Sequence, residues 1–168
     1  MPMLASRRVV LQLAAASTIL STLPAIAPAI AADPAQLVQN TAQQVIDIVK
    51  TKTGAARQAA ILGVLQTSFD MPAMGRSALG THWNQATEAE RTRFLKAVAT
   101  AEAKAYSERF GQYGGQTLTV GKVTPRANGV TIVDSRLNQT SGQPIKLEWE
   151  VRNDRITDVK VEGVSMVM

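Results

Sequence analysis

The sequence predicts an α+β domain: N-terminal helices packed on one face of a curved, twisted antiparallel sheet of about four strands. Three observations carry that prediction. From Asp33 to about Phe110, apolar residues recur at helical spacing; from Gln116 onward the period falls to two. Tight-turn signals such as Asn128-Gly129 and Asn153-Asp154 then divide the second half into a meander. Helices first and strands second is the order of an α+β domain rather than of alternating βα units. The chain has 168 residues, 45% of them hydrophobic but only 4% aromatic, so one domain with a largely aliphatic core is expected. There is no cysteine and one histidine, which rules against a disulfide framework or a structural zinc site.

The elements follow in order. Asp33-Pro34 supplies an N-cap and a proline at the first helical position. Leu37, Val38, Thr41, Val45, Ile48 and Val49 then form one stripe, which Gly54 interrupts. A second helix is expected over Ala55 to Gln66, with Ile61, Leu62 and Leu65 on its apolar face. A short third helix runs from Pro72 to Leu79, capped by Asp70 and stopped by Gly80. Thr87-Glu88-Ala89-Glu90 is a capping box that opens the longest helix, to about Phe110. Phe94, Val98, Ala101 and Ala105 are expected to be its buried stripe.

Strands are expected at Leu118 to Pro125 and Val130 to Leu137. In the third, Ile145, Leu147, Trp149 and Val151 alternate with Lys146, Glu148, Glu150 and Arg152. A last strand, bulged around Gly163, carries Ile156, Val159, Val161, Val164 and Met166.

Ahead of this domain, residues 1–31 read as a cleaved export signal. Arg7-Arg8 precede an apolar Ala/Leu stretch, and Ala29-Ile30-Ala31 fits an A-x-A cleavage site. The arginine pair points to the twin-arginine route and hence to the periplasm. Removing this segment leaves sixteen basic and thirteen acidic residues, a net charge of +3 instead of +5. The basic residues are scattered, so nucleic acid is not an expected partner.

Two constellations have residue types that could carry chemistry. Ser77 and His82 lie five apart, but Gly75-Arg76-Ser77-Ala78-Leu79-Gly80 has one residue too many for a nucleophile elbow and sits in helical context. Glu148 and Glu150 share a strand face, with Cα atoms about 6.5–7 Å apart, but so do Lys146 and Arg152. A solvated strand face accounts for all four. No catalytic residue and no metal ligand is therefore assigned, although a small exported hydrolase is the alternative from a different class. The apolar inventory is more suggestive. Met71, Met74, Leu79 and Trp83 on the short helices and Val98 on the long one face two ways: into ordinary core, or into a pocket for an apolar ligand. The same choice holds for Ile132, Leu147, Trp149, Val151, Val159, Val161 and Met166 on the strands.

A family resemblance favours the pocket. Phe69-Asp70-Met71-Pro72-Ala73-Met74, followed by Leu79-Gly80-x-x-Trp83-x-x-Ala86-Thr87-x-x-Glu90-Arg91-x-x-Phe94, resembles the MlaC family of periplasmic phospholipid-binding, toluene-tolerance proteins. A second block agrees: Trp149-x-Val151, then Ile156-x-Asp158-Val159-x-Val161-Glu162-Gly163-Val164-Ser165. The resemblance implies a single lipid-binding domain over residues 32–168 with no cofactor and a phospholipid as ligand. Its twelve pocket residues would be those just named. It also implies two partners: an inner-membrane ABC transporter with an MCE-domain protein, and an outer-membrane lipoprotein complex. A branch that serves hopanoid transport shares the front motif, which leaves the lipid class open. The family assigns no role to His82, and the C-terminal helix that usually follows the Glu-Gly-Val-Ser strand is expected to be absent.

Overall fold

A computed structural model describes residues 33–167; the expected export segment, residues 1–31, lies outside them. Among the described residues five α-helices precede five strands. Helix α1 (Pro34–Thr51) starts where the Asp33 carboxylate accepts from the Ala35 N–H at 3.0 Å. Helix α2 (Gly54–Ser68) follows after two residues. Helix α3 (Met71–Leu79) is capped by Asp70, whose Oδ1 accepts from the Ala73 N–H at 2.9 Å. Gly80 stops it at φ 52°, a left-handed angle that favours glycine. One turn, α4 (His82–Gln85), leads into α5 (Glu88–Arg109). The expected capping box is complete: the Glu90 N–H donates to Thr87 Oγ1 and the Thr87 N–H donates to Glu90 Oε2. The bond from the Thr87 backbone, and then that from its hydroxyl, hold the Glu90 carboxyl below the usual carboxylate range.

Strands β1 (Thr117–Pro125), β2 (Val130–Asn138), β3 (Ile145–Arg152), β4 (Arg155–Val161) and β5 (Val164–Ser165) form one antiparallel sheet in sequence order. The sheet is curved and unclosed, and the helices pack on one face of it. The expected last strand is two strands. Glu162 and Gly163 both take positive φ, 49° and 84°, and turn the chain tightly between β4 and β5. The bulge expected at Gly163 lies instead at Thr157: Glu150 pairs with Asp158 but Val151 pairs with Ile156. That extra residue is needed because Ile156 and Val159, three apart, must face the same side. A second bulge in β1, between Val120 and Val123, does the same for those two valines.

The core has two parts. Val38 of α1 packs on Val133, Trp149, Val151 and Ile156 of the sheet. Ile61 and Leu65 of α2 pack on Ala103 of α5. The α5 face that meets α2 differs from expectation: Ala99, Ala103 and Ser107 are buried, whereas Ala101 is exposed. Small residues every fourth position let the two helices approach closely. Phe94 and Val98 lie on the neighbouring stripe and turn elsewhere. Arg57 fastens the helix ends, donating to the carbonyls of Lys52, Ser107 and Val49. The α2–α3 junction is fixed to β4 by the Asp70 N–H, which donates to the Ile156 carbonyl at 2.8 Å.

Candidate functional site: an apolar cavity under the sheet

The inward face of the sheet is packed at one end and hollow at the other. At and beyond the level of Trp149, Leu137, Ile145, Leu147, Val159 and Val161 of β2, β3 and β4 face inward and border a cavity of about 670 Å³. That volume is in the range of small-molecule sites, roughly 300–1,000 Å³. Helix α1 contributes Val45, Ile46 and Val49 to the wall, and α2 contributes Ile61, Val64 and Leu65. Helix α3 adds Met71, Met74 and Ala78, spaced along one helical face. Helix α5 adds Phe94, Val98, Glu102, Tyr106 and Arg109.

Six of the seven aromatic residues of the chain lie on this wall: Phe69, Phe94, Tyr106, Phe110, Tyr113 and Trp149. Tyr106 and Phe110 stack with ring centroids 5.6 Å apart. Burial, and then the Glu102 carboxylate beside it, push the Tyr106 hydroxyl up to about 12. The Trp149 indole N–H donates to Ser135 Oγ at 2.8 Å, so the polar edge of that ring is satisfied inside the sheet.

Of the twelve sequence-predicted pocket residues, the structure places eight on the cavity wall: Met71, Met74, Val98, Leu147, Trp149, Val159, Val161 and Met166. The other four lie elsewhere. Val151 is buried with Val38 and Ile156 in the packed end. Ile132 sits on the outer sheet face; its parity in β2 is that of Asp134 and Arg136, and this was a readable signal. Leu79 ends α3 off the Met71–Met74–Ala78 face.

Trp83 is buried at the α3–α4–α5 corner, flanked by the guanidinium groups of Arg76 and Arg91 at 5.7 and 5.2 Å. Arg91 Nε also donates to the Trp83 carbonyl at 2.9 Å. Gly75 makes this corner possible, since a Cβ there would collide with Leu95 and press on Trp83 and Phe94. The wall residues of α1 and α2, and the tyrosines, escaped the sequence reading because a stripe facing a cavity has the same period as one facing core.

The candidate chemical constellations are not assembled. Ser77 is exposed, and the His82 ring nitrogen Nδ1 pairs with Gln85 Oε1 at 3.3 Å. Glu148 and Glu150 lie on the outer sheet face, in a shallow groove of about 480 Å³ with Arg126, Arg152 and Lys160. Glu150 Oε1 accepts from the Thr157 hydroxyl at 2.9 Å, a bond that closes the bulge. Among the described residues no three His, Cys, Asp or Glu side chains are grouped to hold a metal, and no helix is long and apolar enough to cross a membrane.

Sheet, helices and hollow together define a class: an α+β domain whose curved sheet and helices enclose a ligand-sized, mainly apolar cavity. The model of the MlaC protein family matches residues 39–168, and the chain belongs to that family. Its fold is similar to that of a phospholipid-binding protein from Ralstonia solanacearum, solved in complex with a phospholipid. The TM-score is 0.66 at 16% identity, over 81% of this chain and 82% of that one.

Proposed function

We propose that this chain is a periplasmic phospholipid carrier. In this reading residues 1–31 direct export by the twin-arginine route. The folded domain takes one phospholipid by its acyl chains and passes it between an outer-membrane lipoprotein complex and an inner-membrane MCE-domain ABC transporter. It is a carrier and not an enzyme: the chemistry asked of it is burial. The observation that carries the reading is the cavity, whose wall is built from aliphatic, methionine and aromatic side chains on both layers of the fold. Family membership and the phospholipid-bound Ralstonia protein of similar fold support it.

The energetics suit a shuttle. Each methylene removed from water is worth about 0.8 kcal/mol, so a free lipid would be held strongly. The lipid comes from a bilayer, however, where its tails are already in hydrocarbon. Transfer from bilayer to cavity exchanges one apolar surrounding for another, and its net free energy is small. A carrier of this kind loads and unloads without a steep downhill step, and direction is imposed by the partner ATPase.

The test is to express the full chain with its export segment, purify the periplasmic protein without detergent and extract it with organic solvent. About one phospholipid per folded molecule is expected. A folded protein that yields no lipid would sink the reading, and one that yields only hopanoid would move it to the other lipid class.

A further inference from the structure

The cavity wall is not uniformly apolar: apart from Thr41 of α1, its polar side chains come from the second half of α5, the chain just beyond it and the segment after β2. Along α5 the wall residues are Phe94, Val98, Glu102, Tyr106 and Arg109, spanning roughly 22 Å at 1.5 Å per residue. The first two are apolar and the last three polar. Beyond α5 the wall carries Phe110, then Tyr113 and Gln116, and Gln139 after β2 adds a carboxamide. Arg109 and Gln139 are solvent-exposed, so this end opens to water. The opposite part of the wall, formed by α3, β4 and Met166, carries no charged side chain.

Arg109 is the one Lys or Arg among the described residues of the wall. Among the described residues it also has no ion-pair partner and no side-chain hydrogen bond. Arg57, at the same end of the helices, is by contrast consumed by three carbonyls. Lys50 adds positive charge nearby, its Nζ lying 5.7 Å from the centre of the Tyr113 ring. The Tyr113 hydroxyl donates to the Gln116 carbonyl at 2.8 Å, which steadies this rim. A guanidinium presents a donor fork that matches a phosphate's oxygens.

From this arrangement, and resting on the carrier reading above, we infer that Arg109 is a phosphate anchor at the cavity mouth. It selects lipids that bear a phosphodiester over uncharged lipids with the same tails, and orients the tails toward α3 and β4. The recognised chemistry is a phosphate monoanion, here assigned to a lipid headgroup rather than to phosphate free in solution.

The test uses the delipidated mature protein and two variants of it, Arg109→Lys and Arg109→Ala. Phosphatidylglycerol and diacylglycerol with identical acyl chains compete for the cavity, read by tryptophan fluorescence in a Trp83→Phe background that leaves Trp149 on the wall as the reporter. A preference of roughly tenfold for phosphatidylglycerol is expected, the scale of one charge-assisted hydrogen-bonding group. In Arg109→Ala the preference should fall to near unity, through the loss of phosphatidylglycerol affinity; Arg109→Lys should keep part of it. Equal affinities in the parent, or a preference that survives Arg109→Ala, would overturn the anchor and leave the carrier intact. Failure of the folded parent to bind either lipid would overturn the carrier reading and the anchor with it. The source of the phosphate is settled by ³¹P line broadening of millimolar inorganic phosphate on the lipid-free protein. No Arg109-dependent broadening is expected. Its presence would mark a free-anion site and overturn the headgroup assignment.

Discussion

The two ends of one sheet face behave differently. At one end Val133, Val151 and Ile156 are closed over by Val38 of α1, and Val38, Val133 and Ile156 are fully buried. At the other, Leu147, Val159 and Val161, on the same face of the same sheet, border a void of about 670 Å³. Residue type does not separate them, since both ends are Val, Leu and Ile. What separates them is the position of the helices above. Val38 descends onto the sheet, whereas further along α1 Val45, Ile46 and Val49 stand back as a wall. One end is filled and the other is hollow. Substitutions that are chemically alike should therefore have unlike consequences.

The largest effect is expected at the packed end. Ile156→Ala removes a fully buried side chain from beneath Val38, and the site has little room to collapse. A loss of about 3 kcal/mol is expected, within the range for such truncations. Urea denaturation measures it, and the lipid content per folded molecule should not change. A stability loss below about 1 kcal/mol would mean that this end is not solid.

Next comes Trp149→Phe, at the boundary between the two regions. It deletes the indole N–H that donates to Ser135 Oγ and leaves a buried hydroxyl without its partner. About 2 kcal/mol is expected, from the unsatisfied group and the lost ring area together. Ser135→Ala in the same background should recover part of the loss, because it removes the orphaned hydroxyl. A double-mutant cycle reads this directly.

Leu147→Trp at the hollow end sharpens the contrast. The larger ring enters empty space, so stability should move by less than about 1.5 kcal/mol. Ligand capacity should fall by more than half, measured as extracted lipid per folded molecule. If lipid content is unchanged while stability drops sharply, the hollow end is ordinary core, and the carrier reading fails with it.

The same contrast shows how much was legible in the sequence. Element order, the Asp33, Asp70 and Thr87 caps, and the alternation in β3 all depend on neighbours within a few residues, and they read directly. The motif blocks around Phe69–Phe94 and Trp149–Ser165 pointed to the family whose model matches the chain. The bulge at Thr157 was not legible, because the need for it arises only when β4 pairs with β3. The α5 stripe was misread for a related reason. Phe94 and Val98 outrank Ala99 and Ala103 in hydrophobicity, yet the close approach of α2 selects the alanines and leaves the bulky pair for the cavity. Val151 and Leu147 belong to one alternating strand and one parity. Only the tertiary placement of α1 makes the first a core residue and the second a wall residue.

The smallest effect at neutral pH concerns Tyr106, and it tests whether the hollow end is dry. Burial first, and the Glu102 carboxylate second, raise its hydroxyl from an ordinary 10.0 to about 12. The folded state therefore favours the neutral phenol. The stability linked to this group is fully present below pH about 10 and is lost as pH rises toward 12. Ultraviolet titration of phenolate absorbance should show one tyrosine ionising near pH 12, a step that Tyr106→Phe removes. Glu102→Gln takes away the second cause and keeps the first, so the step should move down only part of the way. A return to the ordinary range in Glu102→Gln would make the carboxylate the main cause. It would also mean that water reaches the wall between Val98 and Arg109, where the acyl chains are proposed to give way to the headgroup.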